Sequence, residues 1–96
     1  MIIEGDTIIF ESKPCYYFKE RDGKKCNTVR QFRMSSELRA FEEFLMEYNY
    51  AHPNKKVKII LNGSEIYDSF ERDITDICPF NRYWIISWRH EDENKK

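Results

Sequence analysis

Along most of this chain, apolar residues come in short bursts, and they settle into a helical period at one place. Leu38, Phe41, Leu45 and Tyr48 recur at three- and four-residue steps, with Phe44 widening the stripe. This predicts a helix over Ser35 to Tyr50, with Ser35 or Ser36 at its cap, Glu37 in its first turn and Pro53 beyond its end. Elsewhere the bursts are β-branched and short. Ile2-Ile3 and Thr7-Ile8-Ile9-Phe10 flank Gly5-Asp6, which reads as a turn feeding an early strand. A short helix is expected from Pro14 to Asp22, with Ser12 near its cap, Tyr17 and Phe18 packing it down and Gly23 stopping it. Asn27 to Arg33 alternates as a strand does. If Val29 faces the core, Thr28 and Arg30 share the opposite face. Val57 to Leu61 is a strand followed by a hairpin signal at Asn62-Gly63. One or two more strands run from Glu65 to Ile77 with a bend near Ser69, their core positions being Ile66, Phe70, Ile74 and Ile77. Cys78 to Arg82 reads as a loop, Tyr83 to Trp88 as a final buried strand, and His90 to Lys96 as a frayed tail.

Five or six strands with two helices make an α+β domain, and so many strands in so short a chain fit a small curled or closed barrel. Ninety-six residues hold one domain, expected over residues 1–89. The net charge of −1 gives no bulk attraction to nucleic acid or acidic membranes, so anion binding has to come from a local patch. Lys19 to Arg33 carries six basic residues against Glu20 and Asp22, while Glu65 to Asp76 carries five acidic residues against Arg72. The blocks either face each other or mark opposite faces, and Arg30 can pair with Asp73 or Asp76 across strands. Cys15, Cys26 and Cys78 show no CxxC spacing, and neither His52 nor His90 is near them in sequence, which argues against a zinc site; no other metal or cofactor is expected. Without a signal peptide or a bilayer-length apolar run, a reduced, cytoplasmic protein with no membrane partner is expected.

Candidate chemistry concentrates in Gly23-Lys24-Lys25-Cys26-Asn27-Thr28-Val29-Arg30. A helix ending in glycine and opening into a basic strand presents cationic donors at the mouth of a fold. Lys24, Lys25, Asn27, Thr28 and Arg30 are therefore the candidate ligand-binding residues, with Tyr83 a ring on which a base can stack.

The Gly-x-Lys-x-x-Thr-x-Arg pattern formed by Gly23, Lys25, Thr28 and Arg30 resembles the signature of ASCH domains, members of the PUA-like barrel superfamily. The closing segment Tyr83-Trp84-Ile85-Ile86-Ser87-Trp88, preceded by Asp73 to Ile77, is similar to that family's last two strands. The likeness covers a minority of the chain. The family places a Gly-Asp turn after the Lys/Thr/Arg strand, whereas here Gly5-Asp6 precedes it and a helix follows. Small phage and bacterial proteins carry similar segments.

The resemblance implies a small PUA-like (ASCH-like) β-barrel with an RNA- or nucleotide-related role. Some small members hydrolyse the amide of N-acetylated cytidine with a lysine, a threonine and a glutamate. Lys25 and Thr28 would fill the first two roles as catalytic residues, with Glu65 or Glu71 as candidates for the third. Three functions are therefore expected in competition: an RNA- or nucleotide-binding domain, a small amidohydrolase, and a phage or bacterial protein-interaction factor with a protein partner.

Overall fold

In the computed structural model, which describes residues 1–50, 54–63 and 68–90, six strands and two helices alternate as β1 (Ile2–Glu4), β2 (Thr7–Ser12), α1 (Pro14–Arg21), β3 (Asn27–Arg30), α2 (Ser35–Tyr50), β4 (Lys56–Leu61), β5 (Ser69–Phe80) and β6 (Tyr83–Trp88). They form one mixed sheet in the order β1-β2-β4-β5-β6-β3, in which β2 and β4 are parallel and every other pair is antiparallel. No described helix is long and apolar enough to cross a membrane.

The sheet turns a corner at β5. Residues 69–73 of this strand pair with β4, and residues 74–80 pair with β6. The register slips between Ile74 and Asp76, where the switch occurs. An extra residue of this kind bends a strand and increases its twist. The bend carries β6 and β3 around, so that Arg30 of β3 touches the end of β2 through its side chain. Among the described residues the backbone ladder does not close, and β1 and β3 remain its edges.

Alternation sets the core. Ile8 and Phe10 of β2 sit in register with Val57 and Ile59 of β4, and all four are buried. Tyr17 covers one part of the sheet, while Phe41 and Phe44 present the predicted stripe of α2. An aromatic chain joins sheet and helix: ring centroids lie 6.3 Å apart for Phe10–Phe32, 4.5 Å for Phe32–Phe41 and 5.1 Å for Phe41–Trp84. Truncating a ring such as Phe41 removes ~3–5 kcal/mol from a core of this kind.

Several sequence expectations change in detail. Cys78 to Arg82 is no loop: β5 continues to Phe80, which pairs with Tyr83, leaving Asn81 and Arg82 as the turn. Asn81 accepts the left-handed backbone the turn requires, with φ 56°. The expected strands of Glu65 to Ile77 merge into one from Ser69, while Ile66 and Glu65 lie outside the described residues. Phe18 is exposed, its ring under the Arg21 guanidinium at 5.0 Å, and Tyr17 alone of that pair enters the core. Ser12 does not cap α1. Lys13 holds the cap position without a side-chain bond, and Ser12 is a buried residue of β2. Among the described residues the two charged segments meet at Arg21, whose Nη1 lies 3.8 Å from Asp68 Oδ2 and whose carbonyl accepts from Arg72 Nη2.

Candidate functional site

The segment after α1 folds back on the helix. The Asp22 amide donates to Phe18 O, Gly23 takes φ 84°, and the Lys25 amide donates to Lys19 O. A Cβ on Gly23 would come within 2.4 Å of the His90 ring, so close approach and positive φ both select glycine. This reversal lays Lys25 beside Glu20. Lys25 Nζ is 3.1 Å from Glu20 Oε2 and donates to Asn27 O at 2.7 Å. Glu20 is 1 % exposed, and its other oxygen, Oε1, has no hydrogen-bond partner among the described residues.

Arg30 spans the gap between the sheet's edge and β2. Nε donates to Thr28 Oγ1 at 2.8 Å, Nη1 to Glu11 O at 2.9 Å and Nη2 to Ser12 Oγ at 2.9 Å. The guanidinium lies 4.6 Å from the centroid of Phe10. Burial pulls its pKa below the usual arginine value while the Glu20 carboxylate pulls it back up. Arginine stays charged under such opposing influences. The guanidinium thus closes with a side chain what the backbone ladder leaves open.

Between α1, β2 and β3 lies an open cavity of about 470 Å³. Tyr16 and Glu20 line it from the helix, Glu11 and Ser12 from β2, and Lys25, Thr28 and Arg30 from the basic segment. Three of the sequence-selected residues, Lys25, Thr28 and Arg30, therefore converge. Asn27 contributes its backbone carbonyl to Lys25 and is not on the wall. Lys24 is exposed and outside the lining. Tyr83 sits elsewhere, on a separate cavity of about 330 Å³ beside Trp84, Phe32 and Leu38.

The strand phase holds but its face is reversed. Thr28 is buried at 2 % exposure and Val29 is exposed at 48 %. A threonine can occupy the inner face because Arg30 supplies its hydroxyl with a donor, leaving no buried orphan. Arg30 donates to Thr28, Glu11 and Ser12, and not to Asp73 or Asp76.

Two carboxylate residues line this cavity, exposed Glu11 and buried Glu20, and the sequence marks Glu20 only as part of a local charge balance. Glu71 is exposed on β5 and does not line the cavity. A signal was present: Glu20 follows core-facing Tyr17 by three positions, which places both on one helix face. Comparison with protein-family models gave no match for this chain, and comparison with curated proteins gave none either.

Proposed function

We propose that the cavity between α1, β2 and β3 binds a nucleotide or a nucleotide of single-stranded RNA, within a divergent ASCH-like domain whose curled sheet approximates a PUA-like barrel. The observation that carries this reading is the convergence of Lys25, Thr28 and Arg30 with Glu20 and the Tyr16 ring on one cavity. At about 470 Å³ it has the size of a small-molecule site, which typically spans ~300–1,000 Å³. Its wall mixes cations, carboxylates, hydroxyls and an aromatic face, the group types that read a base edge and stack on its plane. The strand geometry that Arg30 imposes keeps Thr28 in place without a mobile loop. Calorimetric titration of nucleosides, nucleotides and short single-stranded RNAs at low salt tests the reading. Saturable binding that Thr28→Val and Lys25→Ala weaken, in variants shown folded by circular dichroism, supports it. Absence of binding by every one of these ligands overturns it.

Amide hydrolysis is the second reading, favoured by Lys25, Thr28 and the Glu20 carboxylate lining one cavity. Thr28 Oγ would attack the acetyl carbonyl of an N-acetylated cytidine while Lys25 takes the hydroxyl proton and passes it to N4, so that the C–N bond breaks and cytidine leaves; water would then cleave the acetyl ester on Thr28 to release acetate, with Glu20 orienting Lys25. Acetate release that persists in Thr28→Val removes this mechanism.

A further inference from the structure

Three cations line the cavity: Lys13 is exposed, and the two from the basic segment, Lys25 and Arg30, are already engaged by the protein. Arg30 directs donors to Thr28, Glu11 and Ser12, and Lys25 is paired with Glu20. A phosphate approaching Lys25 would meet the Glu20 carboxylate beside it, and like charges this close repel. The Glu20–Lys25 pair, both residues of this wall, still holds two unused hydrogen-bonding capacities. Glu20 Oε1 is buried, belongs to a side chain 1 % exposed and accepts nothing from the described residues. Lys25 has three ammonium hydrogens, of which Glu20 and Asn27 O take two. A buried carboxylate oxygen without a donor is costly to the fold, and a ligand N–H would remove that cost.

We infer, on the basis of the nucleotide reading above, that this cavity takes the base and leaves the phosphate in solvent. The base edge it selects carries an N–H for Glu20 Oε1 beside an acceptor for the third Lys25 hydrogen. Each common base offers such a pair: N3–H with O4 in uracil, N1–H with O6 in guanine, and the amino group with the adjacent ring nitrogen in cytosine and adenine. Tyr16, half exposed on the same wall with its centroid 5.9 Å from Lys25 Nζ, supplies a face for the base plane. The ion pair therefore works as a neutral donor–acceptor unit, and Glu20 requires an N–H on the edge of whichever base is bound.

The test compares ligands on the unaltered protein by calorimetry. The four ribonucleosides, their 5′-monophosphates and orthophosphate are titrated, followed by the tightest nucleoside with every base N–H replaced by N-methyl. The expected result is that a nucleoside binds within about threefold of its monophosphate, that orthophosphate does not compete, and that N-methylation weakens binding at least ~10-fold. Monophosphates that bind while nucleosides do not, or competition by orthophosphate, overturn the inference and leave the nucleotide reading standing. Equal affinity for the N-methylated nucleoside also overturns it. No binding by any ligand defeats both.

Discussion

Two fully buried charges in this protein are treated in opposite ways. Lys55 and Glu20 are each 1 % exposed, and they are the buried charged residues among those described. Lys55 is closed on all sides: Nζ donates to Glu47 Oε2 at 2.7 Å and Asp6 Oδ1 at 3.0 Å, and lies 5.0 Å from the Phe44 ring centroid. These contacts tie the β1–β2 turn, the late part of α2 and the start of β4 together. Burial acts to lower the Lys55 pKa, but the hydrogen bonds it donates to Glu47 and Asp6, with their charges, outweigh it and hold the value above that of an ordinary lysine. Glu20 has one cation on one oxygen and, among the described residues, no hydrogen-bond partner on the other. The lesson is that a buried charge by itself does not mark a site. A buried charge whose hydrogen-bonding capacity the fold leaves incomplete, on the wall of a cavity, does.

The largest effect that tests this contrast is Lys25→Met. It strands the buried Glu20 carboxylate without its cation; removing one partner of a fully buried pair costs about 3–5 kcal/mol, an upper bound here because the Lys25 side chain is 29 % exposed. Adding Glu20→Gln should restore most of that loss, which urea unfolding of the single and double variants would measure. A Lys25→Met variant as stable as wild type would mean that Glu20 does not depend on its pair.

Lys55→Met should do less. Its partners Asp6 and Glu47 have side chains 68 % and 57 % exposed, so water takes over their solvation and no buried charge is orphaned. The expected loss is about 1–2 kcal/mol from the missing hydrogen bonds. A loss larger than that of Lys25→Met in the same urea series would invert the comparison.

The smallest effect is in pH. The folded pKa of Lys55 is raised, and that of Tyr17 is raised by burial and then by the nearby Asp68 carboxylate. In both cases the folded state holds its proton more tightly than the unfolded chain, so stability slopes downward with pH. The contribution is complete below the unfolded values of about 10.4 and 10.0, and is lost as pH rises through the higher folded ones. Thermal melts between pH 8 and 11.5 should therefore show alkaline destabilisation that Lys55→Met partly flattens. An unchanged slope in that variant would remove Lys55 from the account.

Much of the local structure was legible. The Leu38-Phe41-Leu45-Tyr48 spacing yields α2, Gly23 ends α1 with positive φ, and Lys25, Thr28 and Arg30 stand out by composition and spacing. Asn81 shows the limit of turn rules: nothing in Cys78 to Arg82 distinguishes an open loop from a strand that pairs as far as Phe80. Tyr83 shows the limit of reading rings as stacking platforms, since which cavity a ring lines depends on where its hairpin lands.

The sequence by itself determined the elements, their faces up to a sign, and the segment that carries the chemistry. These depend on period, capping and turn propensity, which act within one element. The tertiary structure decided which face of β3 turns inward, which carboxylate meets Lys25 and what Arg30 holds. Those outcomes follow from β5 changing partners at its bulge, which swings β3 around to β2 and brings residues 18 and 19 positions apart into hydrogen bonds. Such contacts are set by the pairing of distant strands, and no local pattern along the chain encodes that pairing.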